Sequence, residues 1–216
     1  MDWDYVWDNS DRIAQQFVEH INLTGVAMLI GFAIAFPLAL FAYRHRWFYG
    51  PITGITGTLY TIPSLALFAF LINYTGLTFT TAEIGLVGYT LLILIRNIVA
   101  GLDGVPDDAR DAAVGMGYSP RQLLWRVELP LALPVIIAGV RIATVTTIGL
   151  VTVTALIGLG GLGYFILVGL RAFGSNNTAA ILGAVLSIGL AVAADALFVG
   201  LQRLLTPWSR RRVVGS

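Results

Sequence analysis

Three ionisable side chains, Arg96, Arg141 and Asp195, stand inside runs of sequence that are otherwise apolar. A charge in such a run is costly in lipid and ordinarily turns inward to pair. Counted from the ends of their runs at about 1.5 Å per residue, Arg141 and Asp195 both lie roughly 15 Å deep. That shared depth predicts an Arg141–Asp195 ion pair, with Arg96 as the second candidate partner. Such a pair either fixes two helices together or belongs to a pathway for a solute. The residue types leave both readings open.

No catalytic set accompanies these charges. His20 and His45 stand at opposite ends of one apolar run, and no serine has plausible histidine and acid partners. Cysteine is absent, so neither disulfides nor thiolate metal sites can form. All 13 basic residues are arginine, which excludes a phosphate-binding glycine-lysine motif. The glycine-rich stretch IGLGGLGYFI (157–166) lacks the preceding strand that a phosphate-cradling turn needs. Its glycines predict a tight re-entrant or gate-like turn, with Tyr164 and Phe165 at the membrane interface. No enzymatic activity, cofactor, metal site or nucleic-acid partner is expected.

The elements that carry these groups follow from composition. Hydrophobic residues make up 57% of the 216 and charged residues only 12%, where a soluble domain would carry about 25% charged. Five apolar runs are long enough to cross a bilayer, for which about 20 residues suffice. They cover about Ile21 to Tyr43, Gly50 to Tyr74, Glu83 to Gly101, Leu131 to Leu156 and Thr178 to Leu205. The expected fold is therefore an all-α integral membrane protein with a transmembrane body over 21–205. Pro63, followed by Ser64, removes a backbone donor within the second run. The resulting kink either lines a substrate path or is simply packed.

Arginine asymmetry sets the expected orientation. With the N-terminus outside, one side receives Arg44, Arg46, Arg110, Arg121, Arg126, Arg203, Arg210, Arg211 and Arg212, and the other only Arg12 and Arg171. The loop 102–130 and the basic tail 206–216 are then cytoplasmic. Residues 1–20, acidic and aromatic, form an extracytoplasmic segment, read either as an interfacial helix with Ser10 as its N-cap or as a disordered tail. No cleavable signal peptide and no appended regulatory domain are expected.

Between the third and fourth runs lies the polar stretch ARDAAVGMGYSPRQLLWRVELP (109–130). Pro106 suits the first residue of a helix, and Asp107 and Asp108 complement its positive end. Ala109, Ala112, Ala113 and Met116 share one face, and Gly117 can close the helix in left-handed geometry. Ser119 starts a second helix with Pro120 at its first position and Gln122 completing a capping box. Pro130 and Pro134 mark the start of span four. A helix with one nearly bare face either sits deep in a groove of another protein or lies on the membrane.

This stretch resembles the EAA loop of permease subunits of ATP-binding-cassette importers, whose pattern is EAA, three residues, Gly, nine residues, then Ile-x-Leu-Pro. Asp111, Ala112 and Ala113 stand for EAA, followed at the same spacings by Gly117 and by Val127, Leu129 and Pro130. The departures are Asp for Glu and Val for Ile. The stretches TIPSLALFAF (61–70), ILIRNIVAGL (93–102), VELPLALPVIIAGVRIATV (127–145) and IGLGGLGYFI are similar to the quaternary-amine branch, importers of osmoprotectants such as glycine betaine, choline and carnitine. The resemblance implies a five-helix MetI-like permease core and a coupling helix docked in a cytoplasmic ATPase subunit. It also implies an extracytoplasmic substrate-binding protein, a second permease subunit and a plasma-membrane location. A methionine-type permease, or an ATP-independent channel or carrier, are the alternatives.

Overall fold

The computed structural model describes residues 2–172 and 177–208, and these are helical with no strand among them. Arg210, Arg211 and Arg212 of the expected tail lie outside the described residues.

The N-terminal segment is helical from Trp3 onward. Asp2 caps α1 (Trp3–Asp8) by accepting from the Asp4 and Tyr5 amides, while its own amide donates to Thr178 Oγ1 at 3.0 Å. Helix α2 (Ser10–Arg44) then runs unbroken for 35 residues, so the boundary expected at residue 20 falls inside a helix. Ser10 is its first residue and not its cap; Asn9 holds that place without a side-chain bond. One face of α2 is a ladder of small buried residues at four-residue steps, Ala27, Gly31, Ala35 and Ala39. Small residues let two backbones approach closely in lipid, where packing replaces the hydrophobic effect.

The partner on that face is α5 (Phe79–Asp103), the central element, buried around most of its circumference. Gly31 sits against Thr90 of α5 so closely that a Cβ would overlap the threonine hydroxyl. Two apolar clusters stack along this contact. One gathers Ala35, Leu94, Ile98, Leu102 and Ala132; the other gathers Leu23, Ala27, Phe68, Leu86 and Val151.

Pro63 does more than kink the second run. Helices α3 (Tyr49–Thr61) and α4 (Ser64–Thr75) meet at 95°, with Ile62 and Pro63 extended between them. Among the described residues, four helices are long and apolar enough to cross a membrane, and a fifth crossing arises only where this bent pair counts as one span.

The segment after α5 carries α6 (Asp107–Gly115), with Pro106 as its cap and not its first residue. A short helix, α7 (Pro120–Leu123), continues through a π-helical turn (Leu124–Glu128) into α8 (Leu129–Thr154). The result is a continuous helical stretch from Pro120 to Ile157. Pro130 and Pro134 therefore lie within this stretch and do not mark its start. The π-helical turn shifts the hydrogen-bond ladder just ahead of Pro130, where a missing donor is most easily accommodated.

A 3-10 turn (Ala155–Ile157) precedes the glycine-rich stretch, which leads into α9 (Gly163–Arg171), packed on α8 and on α10 (Asn177–Leu205). Phe165 is fully buried and so is a core residue, not an interfacial one. Gly163 is required by close approach, since a Cβ there would run into the Thr152 carbonyl.

Candidate functional site

Helix α6 is closed by a Schellman turn. The Tyr118 amide donates to the Ala113 carbonyl at 3.1 Å and the Gly117 amide to the Val114 carbonyl at 2.9 Å, with Gly117 at φ +82°. This satisfies two carbonyls that a helix end otherwise leaves without partners. Two residues on, Ser119 accepts from the Gln122 amide while the Gln122 side chain accepts from the Ser119 amide, a complete capping box. The turn between the two helices is thus fixed on both sides by local bonds.

Of the motif residues, Ala113 is buried, Asp111, Ala112 and Gly117 are exposed, and Val127, Leu129 and Pro130 are half-buried at the base of α8. Val114 and Met116 are 58% and 69% exposed. The outward face of α6 therefore presents a carboxylate, small side chains and two unpartnered apolar groups.

What anchors α6 to the bundle is a residue that the sequence reading did not single out. Arg110 donates through Nε to Glu128 Oε1 at 3.0 Å and through Nη1 to Asp107 Oδ1 at 2.7 Å. Its Nη2 reaches the Leu102 carbonyl at 2.7 Å and the Tyr43 hydroxyl at 3.1 Å. Tyr43 in turn donates to Glu128 Oε1 at 2.7 Å. Burial alone would lower the Arg110 pKa, but the bonds to Glu128, Asp107 and Tyr43 outweigh it and leave a net rise. One guanidinium on α6 thereby holds the ends of α2, α5 and α8. Beside it, Arg46 pairs with Asp103 and joins the α2–α3 corner to the same end.

The intramembrane charges separate into two groups. Arg141 on α8 meets Asp195 on α10 in a two-pronged contact, Nε to Oδ1 at 2.9 Å and Nη2 to Oδ2 at 3.0 Å. Arg96 is exposed on α5 and is not brought to that pair. Pro63 is exposed at the α3–α4 corner and Ser64 is half-buried there, and neither lines the space beside Arg141 and Asp195. The corner is held by Tyr89, whose hydroxyl donates to the Ile62 carbonyl and whose ring stands edge-on to Tyr60 at 5.8 Å. The opposite end of the bundle is tied by His20: the Leu162 amide donates to Nδ1 at 3.1 Å, leaving Nε2 to donate to the Ile148 carbonyl at 3.1 Å.

Residues 21–211 match the family of binding-protein-dependent transport system inner membrane components. The chain belongs to this family. It is accordingly an integral membrane permease with a MetI-like fold. The permease is 37% identical to the osmoprotectant import permease protein OsmW of Salmonella typhimurium, over 94% of this chain and 96% of that protein. It is 35% identical to the glycine betaine/carnitine/choline transport system permease protein OpuCD of Bacillus subtilis, over 96% of this chain and 90% of that one. A solved chain of the MetNI methionine ABC transporter superposes with a TM-score of 0.81 at 22% identity, covering 95% of the permease and all of that chain. At that identity the likeness carries the fold and not the solute.

Proposed function

We propose that this chain forms the translocation pathway of an ATP-driven importer for osmoprotectants such as glycine betaine, choline or carnitine. The observation that carries the reading is near-full-length identity of 37% and 35% to permeases named for these solutes. The closed turn at Gly117, with Asp111, Ala112 and Ala113 on the helix before it, supports a coupling role for 102–130. In this reading α6 docks in a cleft of a separate ATPase subunit, which hydrolyses ATP, while an extracytoplasmic binding protein delivers the solute. A second permease subunit, the same or related, completes the pathway across the plasma membrane. The Arg110 end of the bundle is cytoplasmic and the N-terminus outside, as the arginine distribution favours. Residues 21–205 then form the translocating body, flanked by the outer segment 1–20 and the inner tail 206–216.

The test is uptake of labelled glycine betaine, choline and methionine into proteoliposomes holding this chain with its ATPase and binding protein. ATP-dependent uptake of a quaternary amine, lost in Gly117→Val, is the expected result. Uptake of methionine alone would replace the solute and keep the importer. Uptake indifferent to ATP and to the substitution would overturn the importer reading.

A further inference from the structure

Between α8 and α10 lies a cavity of about 600 Å³, within the ~300–1,000 Å³ range of small-molecule sites. Ile142, Val145, Ala191 and Val192 make its apolar wall, and Arg141 and Asp195 its charged floor. Two features set this floor apart from an ordinary contact between helices. It is not sealed, since the Arg141 and Asp195 side chains remain 28% and 41% exposed. Arg141 also lies 12 residues from the start of α8 and Asp195 10 from the end of α10, roughly 15–18 Å along the axes. Charges open at that depth are costly against lipid tails, so this face turns away from lipid.

The bonding within the pair is incomplete in a specific way. Nε and Nη2 of Arg141 are committed to Asp195, but Nη1 has only a long contact of 3.5 Å to Gln202 Oε1. Each Asp195 oxygen accepts one hydrogen bond from Arg141, where a carboxylate oxygen can accept about two. The floor thus offers one spare cationic donor and spare anionic capacity side by side.

We infer that this cavity is a transit site for zwitterionic quaternary amines, with the solute carboxylate on Arg141 and the ammonium beside Asp195. The inference rests on the osmoprotectant reading above and deepens it. A quaternary ammonium has no N–H to donate, so it asks only for a nearby negative charge and apolar contact for its methyl groups. Asp195 supplies the first; Ile142, Val145 and Val192 supply the second. A carboxylate asks for a donor, which Nη1 provides. Because the protein charges already bond each other, a solute that engages them gains little net free energy. Weak holding suits a path that must release what it binds. A solute with an ammonium but no carboxylate, such as choline, engages Asp195 alone.

The test uses the assembled transporter, with binding protein and ATP, in proteoliposomes. Uptake of carnitine and of choline is measured per ATP hydrolysed for the unaltered chain, Arg141→Gln and Ala191→Phe, with assembly checked by co-purification of the ATPase. Losing one charge-assisted hydrogen bond is worth about tenfold, so Arg141→Gln should raise the ratio of choline to carnitine uptake by about that factor. Ala191→Phe, one turn before Asp195 on α10, narrows the cavity while keeping both charges, and should depress uptake of both solutes. An unchanged ratio in an assembled Arg141→Gln transporter overturns the inference. Should Arg141→Gln fail to assemble, Ala191→Phe decides alone, and undiminished uptake overturns it. An unaltered transporter that moves no quaternary amine removes the osmoprotectant reading, and this inference with it.

Discussion

Arg110 Nε stands 3.0 Å from Glu128 Oε1, and the two residues belong to different working parts, the α6 helix and the root of α8. Glu128 is nearly buried, its side chain 8% exposed, and its Oε1 also receives the Tyr43 hydroxyl. Motion imposed on α6 must therefore pass to α2 and α8 or break a buried network. Removing one member of a buried charged pair leaves the other without compensation, which costs about 3 kcal/mol or more. Arg110→Ala is expected to lower the thermal unfolding midpoint of the purified permease clearly. Arg110→Lys, which keeps the charge and loses the fork, should fold better yet transport fewer solutes per ATP than the unaltered chain. A midpoint unmoved by Arg110→Ala would show that Glu128 is solvated and the network idle.

Gly117 separates conformation from contact. Its φ is +82°, and a Cβ placed there meets nothing within 4 Å. Any cost of substitution is then backbone strain, about 1–2 kcal/mol for a left-handed L-residue. Asparagine tolerates this region and β-branched residues do not. Gly117→Asn should retain most uptake, and Gly117→Val should lose most of it. Equal loss in both would point to a steric clash with the ATPase, not to the turn.

These two positions differ in how plainly the sequence announced them. Gly117 and the Ser119–Gln122 box are local devices, complete within a few residues, and their types name their geometry. The Arg110 network joins residues 18 and 67 positions apart, and the Tyr43–Glu128 bond spans 85. Nothing in the neighbourhood of any one of them identifies its partners. Arg141 and Asp195 are 54 positions apart, but apolar runs leave a charge few places to go, so depth alone suggested the match. Pro63 announced a break and not its size, because the 95° bend depends on what fills the corner. Phe165 misled, since an aromatic beside glycines reads equally well as interfacial or core.

His20 carries a bond of longer range than any in the Arg110 network, to the amide of Leu162, 142 residues away. It also reaches the Ile148 carbonyl, so one neutral ring joins α2 to α8 and to the turn before α9. His20→Leu keeps comparable bulk but leaves the buried Leu162 amide without its acceptor, at a cost of about 1–3 kcal/mol. The expected outcome is a lower unfolding midpoint, together with faster proteolysis near 158–162 in reconstituted membranes. Unchanged proteolysis would mean that the turn is held by the packing of Leu162 and Phe165 alone.

Tyr89 tests whether the bend at Pro63 is fixed or mobile. Pro63 lacks a donor, and the extended Ile62 leaves its carbonyl outside any helix. Irregular backbone at membrane depth persists only where its polar groups find partners, and Tyr89 is the partner present. Tyr89→Phe removes the hydroxyl and keeps the ring, so the edge-on contact with Tyr60 survives while the carbonyl is released. A spin-label pair placed on α3 and α4 should then report a broader distance distribution than in the unaltered chain. A distribution that stays narrow would assign the 95° bend to Pro63 and the packing of Phe68 against Gly85, with Tyr89 a bystander.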